Sequence, residues 1–228
     1  MGIVDALMKT GLTRHESELY LALCREGEVT GYELAKITGI PRANVYQALS
    51  ALADKGGARI IEGNPQRFTA VLPEEYCAIK EREMKDIHRL ILAEAPTRTE
   101  APGGYFTISG HVNILGKMRY VIAHATQRIY LAMNGQDLPW IREEVDAAIQ
   151  RGLKVVLLTS EGVEVHGATL HPFGRKQGQI RLIADSAEVM TGALTGSEHD
   201  VCLYSKNQPL IDLIKESLKN EIALSERK

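Results

Sequence analysis

Thr30-Gly-Tyr-Glu-Leu-Ala-Lys-Ile-Thr-Gly-Ile-Pro-Arg-Ala-Asn-Val-Tyr-Gln-Ala-Leu49 fits two helix starts and a turn into one short stretch. Thr30 and Glu33 are spaced as a capping box, the hydroxyl accepting an orphan N–H while the carboxylate reaches back to the cap. They predict a helix through Thr38, which Gly39 ends by adopting a left-handed conformation. Pro41 presets the first turn of a longer helix, roughly Pro41 to Asp54, whose core stripe is Val45, Leu49 and Leu52. Ala35 is small where two helices cross closely, Gly39 turns the chain four residues later, and Val45 packs into the angle six residues after that. This is helix-turn-helix spacing.

Working outward, Thr13-Arg-His-Glu16 is a second capping box, opening a helix with a stripe of Leu12, Leu19 and Leu23 flanked by Tyr20 and Ala22. Downstream, Ala58-Arg-Ile-Ile-Glu62 and Arg67-Phe-Thr-Ala-Val71 bracket the turn cluster Gly63-Asn-Pro-Gln66. A hairpin directly after the second helix of a helix-turn-helix is a wing, and it favours DNA binding over a plain three-helix bundle. At a turn of about 100° per residue, Ala43, Tyr46, Gln47 and Ser50 lie opposite the core stripe, with Arg42 and Asn44 at the N-terminal end. Gln47 and Asn44 can pair with base edges, and Arg42 can fork onto guanine or a phosphate. Arg67 on the wing can reach a neighbouring backbone or minor groove. For each of these alone a solvated helix face is the alternative, and for Tyr46 it is partial burial against the wing.

Residues 74–94 read as one long helix with Met84, Ile87 and Ile91 at 3–4 spacing. The stripe is shorter than the three to four heptads of a secure coiled coil, so pairing with a second copy and docking onto its own domain both stand. Ala95-Pro-Thr-Arg-Thr-Glu-Ala-Pro-Gly-Gly104 then reads as a linker. The expected organisation is a winged helix-turn-helix over 1–72, a linking or dimerisation helix over 73–95, a linker over 96–104 and an α/β regulatory domain over 105–228.

Gly11-Leu-Thr-Arg-His-Glu-Ser-Glu-Leu-Tyr-Leu-Ala-Leu23, Gly39-Ile-Pro-Arg-Ala-Asn-Val-Tyr-Gln-Ala-Leu49 and the wing closing before Pro73-Glu-Glu75 resemble the winged-helix domain of TrmB-type transcriptional regulators. The resemblance covers about the first 95 residues, and Ile-Pro-Arg-x-x-Val-Tyr is its most specific part. It implies that the long helix joins two subunits. It also implies that the C-terminal half is a regulatory domain like one half of the phospholipase D fold. The chain departs from the family at Lys55-Gly56-Gly57-Ala58, where an aliphatic entry to the wing is usual, so a looser first wing strand is expected.

In the C-terminal half, β-branched runs at Tyr105–Ile108, Gln127–Met133, Lys154–Thr159, Ile180–Ala184 and Val201–Tyr204 alternate with helical stretches. That alternation predicts an α/β sheet with crossover helices. Active phospholipase D enzymes carry His-x-Lys-x-x-x-x-Asp. None of the seven histidines here has Lys two residues later, and alignment on Asp185 puts Gly178 and Ile180 in the His and Lys positions. No P-loop, GxSxG or HExxH motif takes their place, so neither an enzyme nor a cofactor is expected. His166, His171 and His199 lack the carboxylate or Cys pair of a metal site and read as surface histidines. Ligands of open α/β sheets settle beyond the strands' carboxyl ends. Those ends carry Ser109 and His111, Asn134 and Asp137, and Thr159 and Ser160. Their hydroxyls, amides and carboxylate suit an effector such as a sugar or polyol, with caps and loop polars as the alternative.

Charge is informative by its distribution. The chain is −2 overall, and residues 1–95 hold 12 Lys/Arg against 14 Asp/Glu. Within 41–72, however, Arg42, Lys55, Arg59 and Arg67 face only Asp54 and Glu62, while 105–228 is neutral with 14 of each sign. The longest apolar run, Leu19 to Cys24, is far too short for a membrane span. No positively charged leader precedes an apolar stretch, and three scattered cysteines make no disulfide framework. The expectation is a cytoplasmic, homodimeric, sequence-specific regulator of double-stranded DNA whose α/β domain senses a small effector and changes the spacing of two recognition helices. A degenerate phosphodiesterase-like enzyme and a protein-interaction adaptor on a winged helix are the rivals.

Overall fold

The computed structural model describes residues 2–96, 104–160, 162–172 and 178–225. They form two compact units, Met1–Arg98 and Thr99–Lys228. Of the linker expected over 96–104, residues 97–103 lie outside the described residues.

The first unit contains α1 (Ile3–Lys9), α2 (Arg14–Glu26), β1 (Val29–Thr30), α3 (Gly31–Thr38), α4 (Arg42–Asp54), β2 (Ala58–Ile61), β3 (Arg67–Ala70) and α5 (Pro73–Glu94). Both capping boxes close. Thr13 N–H donates to Glu16 Oε2 at 2.8 Å and Glu16 N–H to Thr13 Oγ1 at 3.3 Å. The Thr30 and Glu33 bonds are 2.7 and 3.2 Å. Gly39 ends α3 at φ +73°, where a side chain would strain the backbone. Leu19, Leu23, Leu34, Val45, Leu49 and Leu52 make the core, joined by Phe68 and Val71 of the wing and Tyr76 of α5.

Three features of this unit go beyond the sequence reading or correct it. Helix α1 was not anticipated; it is short and buries none of its residues fully, so its apolar pattern is weak. Strand β1 adds a third strand to the wing, in the order β1-β3-β2. The first wing strand is not loose: Ala58 to Ile61 pair continuously with Ala70 to Arg67. Gly57 locks its entry, donating to Leu52 O at 2.8 Å and accepting from Val71 N–H at 3.0 Å. The aliphatic residue usual at this point is therefore not needed to seat the strand.

Helix α5 has two unlike parts. Pro73 opens it, and Tyr76 is buried against the first unit, its hydroxyl 2.7 Å from Thr10 Oγ1. Every residue from 81 to 94 is exposed, including Met84, Ile87, Leu90 and Ile91. Docking of the apolar stripe onto its own domain is thereby overturned, because none of the described residues of the unit covers it.

The second unit contains β4 (Tyr105–Ser109), α6 (His111–His124), β5 (Arg128–Ala132), a 3-10 helix (Gly135–Ile141), α7 (Arg142–Gln150) and β6 (Lys154–Thr159). There follow β7 (Thr169–Pro172), β8 (Gln179–Ala184), β9 (Glu188–Ala193), β10 (Val201–Ser205) and α8 (Gln208–Ser225). The sheet order is β4-β10-β9-β8-β5-β6-β7. Only β5·β6 and β6·β7 are parallel; the other pairings are antiparallel. The expected α/β domain is thus a mixed sheet, with β7 and β9 added to the five strands read from sequence. β8 to β10 connect without crossover helices, which the alternation did not reveal. One face packs against α6, α7 and the 3-10 helix, and the other against α8.

Candidate nucleic-acid interface and effector site

The arrangement of α4 follows from its periodicity. Val45, Ala48, Leu49 and Leu52 are buried, so the positions rotated away from them must meet solvent. Arg42, Ala43, Asn44, Tyr46, Gln47 and Ser50 are all exposed. Among the described residues the Asn44 and Gln47 side chains have no hydrogen-bond partner, so their full donor and acceptor sets face outward. No carboxylate lies in the first turn of α4, leaving the positive end of the helix unneutralised. Tyr46 is 38% exposed and also meets Phe68 of the wing edge-on at 6.5 Å, so it is partly packed against the wing while the rest of its ring faces solvent.

The wing arginines differ from Arg42. Arg67 Nη1 lies 3.2 Å from Glu28 Oε1, and Arg59 contacts both oxygens of Glu75 at 2.7 Å. Both pairs are solvated and easily exchanged for another anion. Lys55 is half-buried and turned toward its own unit. Its ammonium spans from α4 to Gly11 O at 2.9 Å and Glu16 Oε2 at 2.7 Å, tying two helices together. Burial alone would push the Glu16 carboxyl up, but the bonds from Lys55 and Thr13 hold it below the usual range.

At the second candidate site, β4, β5 and β6 point the same way, so their carboxyl ends share one edge. Gly110 N–H donates to Asp200 O at 2.8 Å, which fixes the start of α6 beside the entry to β10. The His111 ring there lies edge-on to Trp140, centroids 4.6 Å apart, with Nδ1 3.7 Å from Asp200 Oδ2. Across the edge, Gly135 N–H donates to Ser160 Oγ at 3.1 Å. A Cβ on Gly135 would run first into the Val163 Cγ2 methyl and would lie 2.6 Å from that oxygen, so only glycine fits this close to both side chains. His111 Nδ1, Asn134 Nδ2 and Thr159 Oγ1 are buried and none has a partner of good hydrogen-bond geometry, although Asp200 lies near the first and Asp137 near the second. Buried polar atoms are nearly always satisfied, so these three, which follow β4 and β5 or end β6 on the same edge of the sheet, are exceptions to that rule.

Two carboxylates here are tuned in opposite directions. Burial pushes the Asp137 carboxyl up, against the Asn134 amide and the His111 ring beside it. Burial would raise Asp200 too, but its bonds from Thr195, Gly196 and Ser197 outweigh it and keep the carboxyl low. Ser109 falls outside the cluster. Ile108 packs into the core on the α6 side, so the pleat turns the next side chain to the other face. Trp140 and Asp200 were missed from sequence; the single Trp of the chain, three residues after Asp137, was the available signal.

Asp185, on which the phospholipase D motif was aligned, sits at the opposite edge and works as a clamp. Its carboxylate accepts from the Thr126, Gln127 and Arg128 backbone amides and from Thr126 Oγ1, at 2.7 to 2.9 Å. Among the described residues no three His, Cys, Asp or Glu side chains are grouped to hold a metal ion. Among the described residues no helix is long and apolar enough to cross a membrane.

Residues 7–74 match the family described as sugar-specific transcriptional regulator TrmB. Residues 104–217 match the EBD N-terminal subdomain of transcriptional regulator TrmB. YrhO of Bacillus subtilis (strain 168) is 30% identical over 161 residues, covering 68% of this chain and 58% of that protein. The sugar-sensing transcriptional regulator TrmBL1 of Pyrococcus furiosus is 32% identical over 145 residues, covering 61% and 42%. The chain thus spans about half the length of these relatives. Among solved structures, TrmBL2, described as an archaeal chromatin protein with a novel mode of DNA binding, aligns at TM-score 0.49 and 20% identity over 96% of both chains. NucT from Helicobacter pylori aligns at TM-score 0.45 and 15% identity, covering 54% of this chain and 97% of that one. With its helix-turn-helix and its sheet domain both matched by TrmB profiles, this chain belongs to the TrmB family.

Proposed function

We propose that this protein is a sequence-specific DNA-binding transcriptional regulator that acts as a homodimer and answers to a small polar effector. The observation that carries the reading is the α4 face. Arg42, Ala43, Asn44, Tyr46, Gln47 and Ser50 are exposed beside a fully paired wing, while the opposite stripe is buried. A helix of this kind enters the major groove, where Gln47 and Asn44 read base edges, Arg42 reads guanine, and Arg67 leaves Glu28 for a phosphate. Membership of a family described as transcriptional regulators supports it. The test is selection from a random duplex pool. Enrichment of one motif, with affinity that falls as salt rises, is the expected result; retention without sequence preference contradicts it.

The exposed stripe of Met84, Ile87 and Ile91 supports pairing of α5 with the same helix of a second copy. His111, Asn134, Asp137, Thr159 and Ser160 form the effector site, a sugar or polyol supplying the bonds that the orphaned atoms lack. Effector binding then biases the DNA-binding equilibrium, and operator DNA biases effector affinity by the same factor. Thermal shift with glucose, maltose, mannitol and glucose 6-phosphate tests this. One of them raises the melting temperature of wild type and not of Asn134→Ala. An equal rise in both moves the pocket elsewhere.

A further inference from the structure

Tyr32 lies on α3, outside the recognition-helix face, and is 48% exposed. The Arg42 guanidinium carbon is 5.4 Å from the centroid of its ring and 5.7 Å from that of Tyr46, so aromatic rings bracket the cation. Tyr46 is itself held. It meets Phe68 edge-on, and a Cβ on Gly31 would lie 2.7 Å from its ring, so this glycine is what lets the ring lie so close. Unlike Arg59 and Arg67, Arg42 has no carboxylate partner among the described residues.

We propose that Tyr32 is a positioning residue that holds the Arg42 fork ready for a base edge; the inference rests on the DNA-binding reading above. The chemistry favours aromatic rings over a carboxylate for this task. A carboxylate would occupy the N–H groups that guanine must receive, whereas a ring engages the guanidinium through its π-face. An exposed arginine free to sample its rotamers loses that freedom on binding, and one already restrained loses less. Lys36, whose ammonium lies 4.8 Å from the centroid of the same Tyr32 ring, remains available to a phosphate.

The test is selection from a random 30-base-pair duplex pool by the full chain, comparing wild type with Arg42→Ala, Tyr32→Ala and Tyr32→Phe. Arg42→Ala flattens the base preference at one motif position. Tyr32→Ala weakens the preference at that same position by about two- to fivefold, the range of an exposed cation–π contact. Tyr32→Phe keeps the preference, and adding Tyr32→Ala to Arg42→Ala costs nothing more there. The inference is overturned if Tyr32→Ala leaves intact a preference that Arg42→Ala removes, if Arg42→Ala changes no position, or if Tyr32→Phe loses as much as Tyr32→Ala. The last result would assign the effect to the hydroxyl. Failure of the wild type to enrich any motif defeats the DNA-binding reading itself.

Discussion

The α4 face and the carboxyl edge of the sheet both collect polar side chains, but they hold them in opposite states. On α4, Asn44, Gln47 and Arg42 are exposed, and water satisfies them in the free protein. At the sheet edge, Thr159 is 4% exposed with an unpartnered hydroxyl, and orphaned atoms of His111 and Asn134 accompany it. The first surface costs nothing to keep open and suits a large, flat, wet partner. The second carries an unfavourable burial in the free state that the proposed small effector would relieve, so the same residue types predict different kinds of partner.

The largest effect expected is on the proposed assembly. If α5 pairs with a second copy as proposed, Ile87→Lys with Ile91→Lys puts like charges into that seam and weakens the dimer by about 3 kcal/mol or more. Both residues are half-exposed in the single chain, so its folding is unaffected. Sedimentation equilibrium checks this, and an unchanged dimer moves the interface off α5.

A sharper probe of the contrast is removal of a buried orphan. Thr159→Val deletes the unpartnered hydroxyl, so the chain gains about 1 kcal/mol in urea unfolding while losing its effector response. A loss of stability would mean that the hydroxyl is already satisfied. The equivalent change on the open face, Gln47→Ala, leaves stability within about 0.5 kcal/mol.

The smallest effects are in pH and salt. Asp137 holds its proton more tightly folded than unfolded, so its charging at neutral pH opposes folding, and the penalty disappears below the usual carboxylate range. Asp137→Asn therefore stabilises the chain near neutrality and loses that advantage as acid protonates the wild-type residue. Asp200 and Asp185 act in the other sense: their stabilisation is present above the unfolded value and is lost as pH falls through their lowered folded values. Unfolding followed across acid pH separates the variants. Arg67→Ala exchanges a solvated pair for water, so stability barely moves while the salt slope of DNA binding falls by about one unit.

The helix-turn-helix was legible because each of its elements has a local cause. Thr13/Glu16 and Thr30/Glu33 set the starts of α2 and α3, Gly39 the turn, and Val45, Leu49 and Leu52 the buried face. The α4 surface followed from the same periodicity. The sheet domain was less legible because strand direction is not local: nothing in Glu188-Val-Met-Thr-Gly-Ala193 states that it pairs antiparallel with β8 and β10. Ser109 was misplaced for a related reason, since the pleat and not sequence proximity to His111 decides which face it meets. Trp140 and Asp200 reach the site from the 3-10 helix and from the segment before β10, contacts that only the folded chain reveals.

The central claim, that the exposed α4 face reads DNA sequence, is tested most directly by Gln47→Ala on two duplexes, the one enriched from a random pool and a scrambled control. The account predicts a loss of about 1–3 kcal/mol on the enriched duplex and none on the control, with the preference relaxed at one position. Equal losses on both duplexes would contradict it, because Gln47 would then be holding the backbone rather than reading a base.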